Sequence, residues 1–272
     1  MTDLISVIIT TYNWPAALSA CLTSFANQTD RDFEIIIADD GSRQDTHELI
    51  ANFTSSTDIS VHHIYHEDIG FRAATIRNKA VASSEGIYLL FVDGDCVVLP
   101  HFIARHRQLA EQKFWVPGNR ILASETFTQH SLSLKLALHH QSFWYFCQQW
   151  LKGNINRLLP LIYFPSRLFR YLQPNHWQKA MTCNLGVWKT DFIAVNGFDE
   201  LFAGWGFEDS DLVIRLIHFG IKRKEGRFAV PVLHLWHRHN DRSQHDSNLL
   251  RLKQRLNNPG FFYAEQGIDQ YL

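Results

Sequence analysis

The residues best suited to chemistry are carboxylates set close together. Asp39 and Asp40 precede Gly41, Asp93 and Asp95 flank Gly94, and Glu208, Asp209 and Asp211 crowd into one short stretch. Two carboxylates one residue apart offer the hard oxygen ligands that Mg2+ or Mn2+ takes. Carboxylates at the start of a helix lie in the field of its positive end, which favours their charge, while repulsion between them raises the pKa of one. The working pKa of a base drawn from Glu208 and Asp209 is therefore open at this point. Further along, His234, His237 and His239 fall within six residues. Imidazole is a common metal ligand. A turn would bring His234 and His237 to one side, whereas strand alternation would put them on opposite faces.

The elements that must hold these groups follow from periodicity. Short β-rich runs at 4–10, 33–38, 59–65 and 87–92 alternate with amphipathic stretches at 15–26 and 72–83, and the Asp39-Asp40-Gly41-Ser42 turn opens another helix. Pro15 suits a first helical turn. The alternation predicts right-handed βαβ units and a mostly parallel sheet. Ligands of such sheets bind beyond the carboxyl ends of the strands. Thr11, Tyr12 and Asn13 follow the first strand, Asp39 and Asp40 the second, and Asp93 and Asp95 the fourth, so they face one cleft. A helix from Glu208 to about Phe219 and a strand over 228–235 complete the second half. Leu249, Leu250, Leu252 and Leu256 then recur at helical spacing, which predicts a packing helix without chemistry.

Across 272 residues, 27 Asp and Glu nearly balance 26 Lys and Arg, and the net charge of -1 excludes a globally basic nucleic-acid binder. A hydrophobic content of 46% excludes wholesale disorder. Cys21, Cys96, Cys147 and Cys183 have no metal-site spacing, as expected of reduced thiols in a cytoplasmic protein. No apolar run approaches the roughly 20 residues that span a bilayer, so a soluble or peripheral chain is expected.

The charge balance hides an asymmetry. Residues 126–190 contain no acid, while Lys135, Lys152, Arg157, Arg167, Arg170, Lys179 and Lys189 make the segment +7 and leave -8 elsewhere. Large apolar residues such as Phe143, Trp144, Tyr145, Phe146 and Trp150 are interleaved with this charge. Two helical pieces, about 130–151 and 155–172, are expected, broken by Gly153, Pro160 and Pro165. Three uses of this face compete: peripheral contact with anionic lipid at the inner face of the cell membrane, packing in the core or a homodimer, and capture of a phosphorylated saccharide.

Ser-Val-Ile-Ile-Thr-Thr-Tyr-Asn at 6–13, Ala-Asp-Asp-Gly-Ser at 38–42, Ile-Arg-Asn-Lys-Ala at 76–80 and Phe-Val-Asp-Gly-Asp at 91–95 occur in order. This series resembles the family 2 glycosyltransferases with the GT-A fold, over residues 5 to about 112. Asn184-Leu185-Gly186-Val187-Trp188, Val195-Asn196-Gly197-Phe198-Asp199-Glu200 and Gly204-Trp205-Gly206-Phe207-Glu208-Asp209-Ser210-Asp211-Leu212 are similar to the C-terminal module shared by β-1,4-galactosyltransferases, polypeptide N-acetylgalactosaminyltransferases and bacterial chondroitin polymerases.

The resemblance implies an α/β fold, Rossmann-like, with a mostly parallel central sheet flanked by helices and a helical insertion. It divides the chain into a nucleotide-sugar half (1–125), the basic aromatic insertion (126–180), an acceptor-binding and catalytic half (181–240) and a C-terminal helix and tail (241–272). Asp39 or Asp40 would read the base. Arg72 and Arg77 would reach the nucleotide, and Thr11, Tyr12, Asn13 and Gly94 would line its site. Asp93 and Asp95 would hold Mn2+ or Mg2+, completed by His237 or His234. Trp205 and Gly206 would form an acceptor platform, Glu208 would hold the acceptor sugar and Asp209 would be the general base.

The implied reaction is metal-dependent, inverting transfer of a hexose or N-acetylhexosamine from a UDP-sugar. Its acceptor would be a saccharide or lipid-linked glycan of bacterial surface biosynthesis, lipopolysaccharide or capsule. Because the same module occurs in retaining enzymes, retention is an alternative. A non-catalytic glycan-binding module is another. A sugar-1-phosphate nucleotidyltransferase would need a Gly-rich basic loop after the first strand, where Thr11-Tyr12-Asn13 stands instead.

Overall fold

The structure, a computed structural model, describes residues 4–165, 168–178, 180–238 and 241–272. The four expected strands are β1 (Ile5–Thr11), β2 (Phe33–Asp39), β3 (Val61–Tyr65) and β4 (Tyr88–Asp93), connected by α1 (Pro15–Ala26), α2 (Gln44–Ser56) and α3 (Ala73–Ala82). β1, β2 and β4 are almost wholly buried because both faces are covered. Val7, Ile9, Ile35 and Ile37 pack with Leu18, Leu22 and Phe25 of α1. Ile8, Ile36 and Phe91 pack with Ala74, Ile76 and Val81 of α3.

Beyond β4 come β5 (Cys96–Val98), α4 (Phe102–Leu109), β6 (Phe114–Pro117), β7 (Asn119–Leu122), α5 (Glu125–Ser133) and α6 (Phe143–Leu151). They are followed by β8 (Leu185–Trp188), α7 (Lys189–Ala194), α8 (Glu208–His218), β9 (Lys222–Arg223), β10 (Pro231–His234) and α9 (His245–Leu256). The main sheet runs β3-β2-β1-β4-β8-β6-β9. β1 to β4 are mutually parallel, and β8 enters antiparallel to β4 and β6. A second sheet, β5-β10-β7, sits beside it.

Register sets the functional edge. Parallel pairing aligns Thr11 with Asp39 and Thr10 with Asp93, so the polar ends of three strands finish level. Antiparallel pairing of β10 with β5 puts His234 opposite Cys96, one residue from Asp95.

The insertion departs from expectation. α5 and α6 begin at Ser124 and Ser142, whose hydroxyls accept from Phe127 N and Tyr145 N. Between them Lys135 takes a left-handed φ of 48° and ends the first helix. The helix expected over 155–172 is replaced by short 3-10 turns at Leu159–Leu161 and Leu168–Tyr171. Pro160 and Pro165 cannot donate within a helix, and nearby backbone bonds run elsewhere: Asn156 N donates to Leu122 O, and Phe164 N to Phe228 O. The strand expected from 228 starts only at Pro231, because Phe228 has a φ of 63°.

At the C-terminal end, Leu252 of α9 packs on Ile214 of α8 and on Phe202. A buried ion network joins the same elements. Asp211 accepts from Arg215 Nε at 2.6 Å and from Arg255 Nε at 2.9 Å, and Arg255 Nη2 reaches Asp199 at 2.9 Å.

Candidate active site

A cleft of about 750 Å3 opens where the carboxyl ends of β1 and β4 meet α8 and the end of β10. Of the residues singled out by sequence, Thr11, Tyr12, Asp40, Arg77, Asp93, Gly94, Asp95, Trp205, Gly206, Glu208, Asp209, His234 and His237 line it. Asn13, Asp39 and Arg72 stand behind its wall. Asn13 Oδ1 accepts from Arg43 N and fixes the turn after β2. Arg72 contributes its backbone N–H to Asp40 Oδ2 at 2.9 Å, while its side chain turns to Glu67 O. Asp39 turns away from the cleft toward His63, and Asp40 toward His66, at 2.6 Å. Adjacent residues at a strand end face opposite ways, which resolves the Asp39–Asp40 pair in favour of Asp40 as the carboxylate on the cleft. His239 lies outside the described residues.

Asp93 and Asp95 separate in the same manner. In the turn between them the N–H of Gly94 donates to Thr10 O at 2.8 Å, and a Cβ there would come within 3.1 Å of that oxygen, a tight fit. Asp93 Oδ1 lies 3.2 Å from Arg77 Nη2. Asp95 faces the histidines: His234 Nε2 is 3.6 Å from Oδ1 and His237 Nε2 is 3.4 Å from Oδ2. Ligand atoms of Asp95, His234 and His237 all lie within 4.8 Å of one another. Burial pushes the Asp95 carboxyl up, and the two imidazoles pull it back. One carboxylate and two imidazoles converging from the β4–β5 turn and the end of β10 form a donor set for a divalent cation.

Arg77 organises the floor. Its Nε donates to Thr10 Oγ1 at 2.9 Å, Nη2 faces Asp93, and Nη1 donates to Glu208 Oε1 at 3.1 Å. Burial alone would lower the pKa of this guanidinium, but Asp93 and Glu208 more than compensate and raise it.

The approach to α8 is strained. Gly204 and Gly206 have φ of 73° and 113°, and Phe207, a bulky residue, also sits left-handed at 72°. This backbone lifts Trp205 toward the cleft, with Arg242 over its ring at 4.9 Å and His245 stacked beyond. Asp209 follows in the first turn of α8, partly open to the cleft, and accepts from Ser210 N at 2.6 Å. Burial and then the charge of Glu208 push its carboxyl up to about 7, against the pull of Ser210 and Arg77.

Comparison with known sequences decides the family. The description "Glycosyl transferase family 2" matches residues 6–170. The chain belongs to this family. Residues 167–237 of the glycosyltransferase also match "N-terminal domain of galactosyltransferase". It is 29% identical over 228 residues to validoxylamine A glucosyltransferase of Streptomyces hygroscopicus subsp. jinggangensis, covering 80% of this chain and 52% of that protein. It is 29% identical over 254 residues to chondroitin synthase of Escherichia coli, covering 84% of this chain and 34% of that protein. The glycosyltransferase thus spans about half of the first relative and a third of the second.

Solved structures show the same fold. S. aureus TarS 1-349 in complex with UDP gives a TM-score of 0.59 at 13% identity, covering 98% of this chain and 68% of that one. The mannosyltransferase PcManGT from Pyrobaculum calidifontis, in complex with GDP-Man and Mn2+, gives 0.60 at 14%, covering 95% and 67%. The glycosyltransferase therefore has the GT-A architecture.

Sequence reasoning missed four contributors. Arg120, Arg238 and Arg242 also line the cleft, and Asn248 of α9 donates to Ala203 O and Gly206 O at 3.1 Å each, holding the loop that carries Trp205. Asn248 lies between Leu249 and the preceding polar stretch, where leucine spacing draws attention to the packing face of α9 and away from its polar residues.

Proposed function

We propose that this glycosyltransferase moves a hexose or N-acetylhexosamine from a UDP-sugar to a saccharide acceptor, with inversion at the anomeric carbon. One observation carries the reading: Asp209, its carboxyl pushed to about 7, opens onto the same cleft as Asp40 and the Asp95–His234–His237 group. Asp40 suits a donor N–H of the base, and the UDP bound by TarS supports a uracil. The donor set around Asp95 fits a divalent ion, which when bound would neutralise charge on the departing diphosphate. Arg77 holds Asp93 and Glu208 in place through its two Nη atoms, so the floor of the cleft is set before reaction.

Trp205 offers an apolar face to the acceptor ring, and Glu208 is adjacent. Asp209 takes the proton of the acceptor hydroxyl as that oxygen bonds to the anomeric carbon. The bond from that carbon to the diphosphate oxygen breaks on the opposite face, so an α-linked donor gives a β product. The test is a panel of nucleotide sugars followed for UDP release with saccharide acceptors, with NMR of the product's anomeric proton. Release with a β product supports the reading. An α product would establish retention, and absence of both UDP binding and release would favour a glycan-binding module.

The insertion supports a second reading, peripheral attachment to anionic membrane on the way to a lipid-linked acceptor. Trp144, Leu151, Leu168 and Leu172 are 75–85% exposed, and Lys135, Lys152 and Arg157 are exposed alongside them. Arg170 and Lys189 serve the fold instead: Arg170 donates to Glu225 O and Phe164 O, and Lys189 to Ser84 O. Among the described residues no helix is long and apolar enough to cross a membrane. Co-sedimentation with anionic vesicles, lost on Trp144→Ser with Leu151→Ser, is the expected result; binding to neither anionic nor neutral vesicles would remove this reading.

A further inference from the structure

A second convergence of metal-ligating atoms lies behind the turn that presents Asp40. Asp39 closes β2, His63 projects from β3 and His47 from the first turn of α2. His63 Nε2 is 3.0 Å and His47 Nε2 3.4 Å from the same oxygen, Asp39 Oδ2. The ligand atoms of the three residues lie within 4.8 Å of one another. None of the three lines the cleft, so this group is separate from Asp95, His234 and His237.

An ordinary carboxylate–imidazole hydrogen bond explains half of the arrangement. His63 makes such a bond, but His47 Nε2 is buried and has no hydrogen-bond partner, although it points at the oxygen that His63 already occupies. Burying a polar nitrogen unpaired is unfavourable. One cation shared by the three ligands satisfies both imidazoles and the oxygen together. The spacing suits it, since ligands about 2.0–2.1 Å from a tetrahedral ion stand about 3.3–3.4 Å apart.

The chemistry of the site agrees. The side chain of Asp39 is fully buried, and Ser42 N donates to its Oδ1, which leaves Oδ2 directed at the two imidazoles. His47 and His63 keep 29% and 24% side-chain exposure, so the rings reach the surface while the facing atoms His47 Nε2 and Asp39 Oδ2 are buried. The Tyr65 ring stands edge-on to His47 at 4.7 Å and fixes its plane. The ligands come from three separate elements, two of them paired strands, so the site is built before any ion arrives.

We propose that Asp39, His47 and His63 bind a transition-metal cation of the Zn2+ class, distinct from the ion of the cleft. Two imidazoles and one carboxylate select such an ion over Mg2+ or Ca2+. Asp39 Oδ1 accepts from Ser42 N at 2.8 Å, and Ser42 Oγ accepts from Asn13 N at 2.9 Å. The ion therefore anchors, from behind, the two turns between which the nucleotide base would lie.

The experiment uses Zn2+ alone, in competition with a chromophoric chelator, on the full chain carrying His234→Ala and His237→Ala to silence the cleft group. One ion per chain is expected, together with a rise in thermal midpoint on adding Zn2+. Adding His47→Gln and His63→Gln should weaken binding at least about 100-fold and abolish the rise. Absence of binding in the first chain, or binding unchanged in the second, overturns the proposal. If the fourfold variant does not fold, His63→Gln in the otherwise unaltered chain must lower the Zn2+ count by one, and an unchanged count is equally fatal. Loss of transferase activity plays no part in this readout, so the cleft reading and this one fail separately.

Discussion

Arg77 Nη1 lies 3.1 Å from Glu208 Oε1 and joins the helix after β3 to the helix that carries Asp209. The same guanidinium holds Asp93, so it is a buried cation shared by two carboxylates from distant parts of the chain. Arg77→Met should destabilise the fold by about 3 kcal/mol, because the buried Glu208 loses its partner while Asp93, open to the cleft, keeps solvent. Urea denaturation of the two proteins measures this, and Arg77→Lys should recover only part of it, since a single nitrogen cannot span the positions of Nε, Nη1 and Nη2.

Transfer should rise with pH through an acid limb near 7, where Asp209 loses its proton and becomes able to accept another. Asp209→Asn should lower kcat by about 10^2–10^4-fold with a small change in KM, and the limb should disappear from what activity is left. A pH–rate profile of UDP release for both chains is the measurement. An acid limb that persists unchanged in the Asn variant would assign the base elsewhere.

The same group makes a stability prediction of opposite sense. Asp209 has a folded pKa near 7 against an unfolded value of about 3.9, so the folded state holds its proton more tightly. Its contribution is lost as pH rises through that window: below about 4 both states are protonated, and above about 7 the folded chain carries a charge it disfavours. Asp209→Asn should therefore raise the thermal midpoint at pH 8, and the gain should shrink toward pH 4. Calorimetry across that range tests the sign.

Removing divalent ions with EDTA should abolish transfer, and Mn2+ or Mg2+ should restore it. Asp95→Ala should lose at least about 100-fold in kcat/KM at saturating Mn2+, whereas His234→Ala or His237→Ala should chiefly raise the Mn2+ concentration needed. Rates against metal concentration separate the two effects. Full activity of the Asp95 variant would remove this carboxylate from the metal site.

Trp205→Ala should raise the acceptor KM about tenfold and leave the donor KM unchanged, in line with the loss of roughly 0.5–1.5 kcal/mol of stacking and some buried area. Asn248→Ala should act in the same direction without touching the acceptor, because it frees the carbonyls of Ala203 and Gly206. Initial rates with each substrate varied in turn check both.

The parallel half of the sheet was legible because buried strands leave uninterrupted apolar runs, and helices leave a different period. Which member of a carboxylate pair faces the cleft was not, since Asp39 and Asp40 differ only in the direction of one backbone step. The meeting of Asp95 with His234 depends on β10 pairing with β5, and β5 is three residues long, too short to show a period. The insertion misled for a related reason: composition could not say which aromatics are exposed, as Trp144 is, and which are buried, as Phe146 is, and Pro160 and Pro165 send the backbone bonds to Leu122 and Phe228, far from a helical ladder.

Asn248 and Arg255 have a consequence for how the enzyme is made. Through them the Trp205 loop and the base of α8 are held by α9, which follows both in the chain. A nascent chain on the ribosome must therefore wait for α9 to emerge before the Trp205 loop and the base of α8 are set. A chain ended at Gln244 should leave Trp205 and Asp209 out of place and fail to transfer sugar.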